Sequence, residues 1–267
     1  MSVSSTLLFL GTGTSMGVPT LGCSCAVCHS TNAHNQRMRS SIAVQFQDGT
    51  RQRTVLIDTG PDFRTQALRF GITHLDAVLY THAHADHILG FDDLRPLTFG
   101  HSSPLPLYAD DATATTIERI FEYNFRKVDR YPTAARVQIH RLGTEPGTVL
   151  DLFGATFERI PVLHGRNSIA GYRFGNAAYL TDMSDIPEDS FERLRGLDIV
   201  VLDALRREPH PSHSHLDKSI ALAQRIGARQ TYFTHISHDL DHAPTQANLP
   251  DGIHLAYDGL QLEFELA

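Results

Sequence analysis

Short apolar runs alternate with amphipathic segments along this chain. Residues 6–10 (TLLFL), 41–46 (SIAVQF), 54–58 (TVLID) and 77–81 (AVLYT) have the length and β-branched or aromatic content of strands. Residues 62–71 (DFRTQALRFG) carry helical periodicity and end on Gly71, a helix stop. A longer helix is predicted over 111–127 (DATATTIERIFEYNFRK). In the latter half, 136–142, 156–163, 169–174, 177–181, 198–203 and 231–234 read as strands, and 187–196 and 216–227 as helices. The early half is hairpin-like and the later half alternates strand and helix. That order predicts a layered α/β domain with mixed sheets rather than a doubly wound parallel sheet.

Chemistry-bearing residues follow the strands. The run 77–81 leads into His82, PVL into His164, AAYLT into Asp182 and TYFT into His235. Ligands of open α/β sheets gather beyond the carboxyl ends of strands, so these four residues predict a site along one sheet edge.

Composition narrows the picture. The chain has 267 residues, 41% of them hydrophobic, enough for a sizeable core. We find no internal repeat or linker, and expect one domain over 1–267. The net charge of −7 argues against a nucleic-acid backbone as the main partner. No apolar stretch of about 18 residues suggests a membrane span, and the first residues lack the basic start of a signal peptide. A cytoplasmic location is expected. Oligomeric state stays open, a homodimer included. The three cysteines, Cys23, Cys25 and Cys28, lie within six positions. That is a poor disulfide framework and a better metal clip.

The densest chemistry is in HAHADH (82–87). In extended backbone, residues two apart share a face, so His82, His84 and Asp86 can point together. If a helix starts there, His87 lies beside Asp86. The alternative is a polar loop with surface histidines. THAHADH resembles the H-x-H-x-D-H signature of the metallo-β-lactamase-fold hydrolases. LIDTG (56–60), VLHG (162–165), LTDMS (180–184) and FTHIS (233–237) resemble further landmarks of that family, in the same order. The resemblance implies a four-layer αββα sandwich. It also implies two divalent metal ions, zinc or manganese, sharing a bridging hydroxide. One ion would be held by His82, His84 and His164, the second by Asp86, His87 and His235, with Asp182 bridging. Asp86 counts among the catalytic residues as well. Two divalent ions against two carboxylates keep an excess positive charge, which attracts an anionic substrate. Di-iron electron-transfer members of the family have glutamate in place of the second histidine, and His84 here favours hydrolysis.

The segment 22–34 (GCSCAVCHSTNAH) suits a structural tetrahedral zinc that still needs a fourth ligand. His29, His34 and a distant histidine are candidates. GTGTSMGVPTLGCSCAVC (11–28) resembles a subset of the superfamily that includes phosphoribosyl cyclic phosphate phosphodiesterases. In that subset an H-I-S-H motif supplies the fourth ligand. THISH (234–238) matches it, which implies His238.

Phosphodiester cleavage also needs a proton for the leaving oxygen. Residues 207–219 hold His210, His213 and His215 before a helix, and the family resemblance favours His213 as the acid, with His210 as the alternative. Asp58 and Asp203 end strands, where they can orient imidazoles from behind or simply form turns. Arg37, Arg39, Arg126, Lys127 and Arg130 are candidate phosphate contacts, none favoured. The leading expectation is a metal-dependent phosphodiesterase acting on a small, cyclic phosphate ester. A transfer-RNA three-prime processing endonuclease and a cofactor-biosynthesis protein resembling the pyrroloquinoline quinone B protein are the alternatives.

Overall fold

The computed structural model describes residues 3–128 and 131–266. Arg130 lies outside the described residues. Two seven-stranded sheets form the centre. The first contains β1 (Val3–Gly11), β2 (Ser41–Gln47), β3 (Gln52–Ile57), β4 (Ala77–Leu79), β5 (Leu105–Asp110), β6 (Val137–Leu142) and β14 (Gln261–Leu266), in the order β14-β1-β2-β3-β4-β5-β6. The second contains β7 (Val149–Leu152), β8 (Ala155–His164), β9 (Asn167–Phe174), β10 (Ala177–Leu180), β11 (Ile199–Asp203), β12 (Gln230–Thr234) and β13 (Ile253–Leu255), ordered β13-β12-β11-β10-β9-β8-β7. Each sheet is half antiparallel and half parallel. In the first, β14 through β3 pair antiparallel and β3 through β6 parallel. In the second, β7 through β10 are antiparallel and β10 through β13 parallel.

The strand sequences require this layering. On β1, Leu7 and Phe9 face the other sheet, while Leu8 and Leu10 join an outer core with Phe63 and Ile117. On β11, Ile199 and Val201 face inward, and Val200 and Leu202 meet Leu216 and Leu222 on the opposite outer face. Strands buried on both faces read as continuous apolar runs, as these do. Three cores between four layers follow, the expected αββα sandwich. Each fully buried Leu, Ile or Phe stabilises it by about 1.5–3 kcal/mol.

Some expected elements differ. The helix predicted over 111–127 runs only from Asp111 to Ile120, followed by a single turn at Glu122–Phe125. Between them Phe121 leaves helical geometry and stacks on Phe91 at 4.5 Å. Tertiary packing overrides local periodicity there. The helix predicted over 187–196 is one turn, Glu188–Phe191, followed by a 3-10 turn. Strands β5, β7, β13 and β14 lie outside the predicted runs; in β5, Pro106 within a short run argues against a strand.

Candidate metal centre

The parallel halves deliver the site. Beyond β4, Tyr80 and Thr81 lead to His82, and His84 is still extended (φ −69°, ψ 153°) before a one-turn helix, Ala85–Ile88. His82 and His84 therefore share a face as expected. Asp86 does not belong to that extended face. The helix has already begun, and it carries Asp86 and His87 together to a second position. The loop after β3 presses against this helix: Thr59 N–H donates to the His87 carbonyl (2.8 Å) and Gly90 N–H to Thr59 (2.9 Å). A Cβ on Gly60 would lie 2.1 Å from the Asp86 carbonyl oxygen, so the approach demands glycine.

Asp58 after β3, Asp182 after β10 and His235 after β12 all have positive φ, at 67°, 57° and 56°. Non-glycine residues adopt this region rarely and at a cost. Phe153, in a hairpin turn, is the other such residue described. Two bonds lock the sheets together beside the site. Ala170 N–H donates to the Thr81 carbonyl (3.0 Å) and the Tyr172 hydroxyl to the Tyr80 carbonyl (2.7 Å).

Two donor groups converge. His82, His84 and His164 form one; Asp86, His87, Asp182 and His235 form the other, with donor atoms within 4.8 Å of one another in each. Asp182 lies between them. Its Oδ2 is 3.9 Å from His82 Nε2 and 3.2 Å from His235 Nε2, and its Oδ1 is 3.2 Å from His87 Nε2. Neighbouring groups set the tautomers. His87 Nδ1 donates to Asp58 Oδ2 at 2.7 Å, and His164 Nδ1 donates to the Ser212 carbonyl at 2.7 Å. Thr81 donates its hydroxyl to Asp58 Oδ2 (2.8 Å) and accepts from His82 Nδ1 (2.9 Å). Each imidazole so held turns its other nitrogen into the site.

A metal test follows from polar satisfaction. The Nε2 atoms of His87 and His235 are buried and have no hydrogen-bond partner. Their neighbours are near enough but not aligned, so the atoms face a shared point rather than one another. Buried polar atoms are nearly always satisfied. His82 Nε2 also lies 3.0 Å from His84 Nδ1. This nitrogen and carboxylate set fits two divalent cations.

Electrostatics agree. Burial disfavours charge on His87, but Asp182, Asp86 and Asp58 outweigh it and raise its pKa well above the ordinary value. Burial also opposes charge on His235, yet Asp182 and Asp203 lift it to about 9. Burial would raise Asp86 and Asp182, but the neighbouring imidazoles hold both below the usual carboxylate range. In the other group burial lowers His82, His84 and His164, which keeps them neutral and ready to ligate.

His213 stands at the junction. Its ring stacks on His235 (4.6 Å between centroids, 10°) and meets His164 edge-on at 4.6 Å. Its Nδ1 donates to Asp203 Oδ2 at 2.7 Å. Burial and His235 depress it to about 4, and burial raises Asp203 well above its ordinary range. His210 lies one layer out, 5.1 Å from His213, and its Nδ1 accepts from Ser212. His215 stands at the N-cap position of the helix Leu216–Ile226, with no side-chain bond to it.

The cysteine clip closes on His238. Its Nδ1 is 3.2 Å from Cys23 Sγ, 3.8 Å from Cys25 Sγ and 3.3 Å from Cys28 Sγ. A tetrahedral zinc with ordinary bond lengths separates sulfur and nitrogen by about 3.6 Å. Backbone N–H groups of Thr20 and Cys28 donate to Cys28 and Cys25 sulfurs at 3.3 and 3.4 Å. Of the other candidate ligands, His29 is exposed and His34 stacks on Tyr257 at 3.9 Å. The GTGT loop is bonded to the same segment. Ile236 N–H donates to Thr12 (2.9 Å) and Thr14 N–H to Ile236 (3.2 Å).

The candidate arginines are otherwise engaged. Arg37 is buried and donates to the Ser237 and Leu240 carbonyls, both at 2.8 Å. Arg39 pairs with Asp62 at 3.0 Å, and Arg126 with Glu122 at 3.1 Å. Lys127 is exposed. Sequence reasoning missed Arg206, which lines a cleft of about 220 Å³ beside His213. It also missed Thr81 and the Ser212 carbonyl, whose roles are backbone and hydroxyl contacts that no motif spells out.

The family model for the beta-lactamase superfamily domain matches residues 53–236. A crystal structure described as a new diphosphatase from the PhnP family is 54% identical over all of both chains, with a TM-score of 0.92. The chain belongs to the PhnP family of the beta-lactamase superfamily. It is a metallo-hydrolase by that membership. Octanoyltransferase of Porphyromonas gingivalis is 40% identical over 260 residues, 95% of this chain. The chain spans about half the length of that curated relative, 50%. Zinc-bound PqqB of Methylobacterium extorquens shares the fold, with a TM-score of 0.73 at 21% identity, over 97% of this chain and all of that one.

Proposed function

We propose that this PhnP-family chain is a phosphodiesterase that hydrolyses a small, cyclic phosphate ester at a two-metal centre. The observation that carries the reading is the pair of donor groups joined at Asp182, with buried unpartnered nitrogens turned into it and His213 alongside. When bound, two divalent ions supply Lewis acidity and water activated for attack near neutral pH. His82, His84 and His164 hold the first position; Asp86, His87 and His235 hold the second. Asp58, Thr81 and the Ser212 carbonyl keep the imidazoles in the ligating tautomer.

His213 supplies the proton. Asp203 fixes its Nδ1–H, so Nε2 faces the site. In the free protein, with a pKa of about 4, Nε2 is unprotonated at neutral pH. A bound phosphate anion offsets the positive charge nearby and favours the protonated form, so Nε2 takes up a proton from solvent as the substrate binds. His213 Nε2 then protonates the leaving oxygen as the ester bond breaks. The relative described as a diphosphatase supports phosphoryl chemistry for the family. The test is turnover of bis-p-nitrophenyl phosphate, a cyclic ribose phosphate and a precursor transfer RNA with manganese or zinc. Hydrolysis of the small diesters but not the RNA is expected. No turnover of any diester with either metal overturns the reading, and RNA cleavage alone moves it to transfer-RNA processing.

A further inference from the structure

A cavity opens at the end of the first sheet opposite the metal centre. It holds about 250 Å³ and is lined by Arg51, His74, His101, Ser103, Gln138 and His140, over a floor that includes Leu75 and Leu105. His74 precedes β4 and His101 precedes β5, whereas His82 follows β4. The cavity shares no residue with either donor group of the metal centre or with the cysteine clip. Its volume lies a little below the roughly 300–1,000 Å³ of sites for drug-sized ligands, which suits a compact molecule.

Positive groups dominate the rim, although the chain as a whole is acidic. Asp76 is the carboxylate at the cavity, and it is buried and already satisfied. Arg51 Nη2 and Arg53 Nη1 donate to its Oδ1 at 2.7 and 2.8 Å, and Thr54 N–H donates to its Oδ2 at 2.9 Å. The Arg51 side chain is about half exposed, and its other guanidinium N–H groups have no partner among the described residues. His74 Nε2 lies 3.2 Å from the same Asp76 oxygen, and its ring is 5.4 Å from that of His101. Arg51, His74 and His101 are thus contiguous. Arg136 donates to the His101 and Ser102 carbonyls and holds that loop in place. The side chains of Ser103, Gln138 and His140 make no hydrogen bond among the described residues. Phe153 adds an independent observation. With Gly154 it forms the two-residue turn between β7 and β8, and both have positive φ, 60° and 83°. Such a turn favours asparagine or glycine. Phenylalanine there opposes its own turn, yet its ring lines the cavity, with the Arg53 guanidinium stacked on it at 4.4 Å. Breaches of a local rule concentrate at functional positions.

We propose that this cavity is a second binding site, remote from the metal centre, for a ring-bearing phosphate of mononucleotide size. The phosphate sits on Arg51 with the imidazoles of His74 and His101. The flat ring lies on Phe153, and the free donors and acceptors of Ser103 and Gln138 bond its polar edge. An isolated oxyanion would leave Phe153 and Gln138 without a role, and an uncharged ring would leave the guanidinium without one. Binding here does not depend on the phosphodiesterase reading.

The experiment compares the zinc-loaded wild type with Arg51→Gln and Phe153→Asn. Asparagine suits the positive φ of the turn, so that variant keeps its fold while losing the ring. In Arg51→Gln, Arg53 still holds Asp76. The probes are adenosine monophosphate, adenosine and inorganic phosphate. Binding is followed through the imidazole NMR signals of His74, His101 and His140, which report this cavity and not the metal centre. Adenosine monophosphate is expected to move all three signals in the wild type, and adenosine to bind more weakly. Arg51→Gln is expected to weaken adenosine monophosphate about tenfold or more, because it removes a charge-assisted bond. Phe153→Asn is expected to weaken it about threefold or more, with little change for inorganic phosphate at the same signals. Hydrolysis of bis-p-nitrophenyl phosphate without nucleotide should be the same in all three proteins. The proposal is overturned if adenosine monophosphate moves only the metal-centre histidines, or if either variant keeps wild-type affinity at the three signals. Adenosine that binds as tightly as its monophosphate overturns it as well, because the anion then contributes nothing.

Discussion

Asp58 shows how much one side chain can organise. Its backbone sits at φ 67°, and its carboxylate accepts from Thr81 N–H, the Thr81 hydroxyl and His87 Nδ1. Asp58→Asn preserves the shape but lets an amide face His87 Nδ1. The imidazole is then no longer held in the ligating tautomer. Loss of such a supporting partner typically costs 10–100-fold in metal affinity or activity. Metal titration of the stripped variant is expected to show that loss at one ion and a smaller change at the other. His213 behaves differently. His213→Ala removes the proton donor without removing a group that either donor set requires. A fall in kcat of about 100-fold or more is expected, with both ions retained by elemental analysis. Retained turnover would transfer the acid role to His210 or to water.

At the scale of elements, the segment after β12 connects two sites. His235 and His238 lie three residues apart, one in the two-metal centre and one in the cysteine clip, and Ile236 between them pairs with the GTGT loop. Cys25→Ser is expected to release one zinc per chain and leave the other metals in place. Limited proteolysis should then cut within residues 12–30 faster than in the wild type. An unchanged metal count would remove the clip assignment. This coupling also shows where the sequence was readable. HAHADH, the ligand-type residues at strand ends and the cysteine spacing could be read directly, because strand ends and short-range motifs are local. The handover from extended chain to helix at Ala85 could not, since it depends on the 58–60 loop pressing on the new helix. Arg206 carried no signal at all. Its neighbours Ser15 and Asp239 come from distant parts of the chain, and only the closed loop brings them together. The split of the 111–127 helix was hidden for a related reason. Phe121 satisfies helical periodicity, but it gains more by packing on Phe91.

The whole molecule should register the centre in its stability. Without metal, His87 and His235 sit between Asp86 and Asp182 and hold protons that the unfolded chain releases. His235 titrates at about 9 in the fold against an unfolded value near 6.5. A group whose pKa is raised in the folded state stabilises fully below its unfolded value. That stabilisation is lost as pH rises through the folded value. Above about pH 7.5, where unfolded histidines have already lost their protons, the metal-free protein is therefore expected to become less stable up to about pH 9, by at most about 1.4 kcal/mol per pH unit for each group. His82, His84, His164 and His213, all lowered, add stability only while pH rises through the unfolded value near 6.5; above about pH 7.5 they are neutral in both states and do not oppose the trend. Divalent ions replace the protons in the loaded protein. They bind the deprotonated ligands, and binding the folded state alone adds about 4 kcal/mol at a free concentration 1,000 times the dissociation constant. Thermal unfolding at pH 7.5, 8.2 and 9, with chelator and with manganese, checks both halves. The chelated protein should melt at progressively lower temperature as pH rises, and the loaded protein should not. A flat profile in chelator would mean that the buried imidazoles are not charged between their carboxylates, and the electrostatic account of the centre would fall.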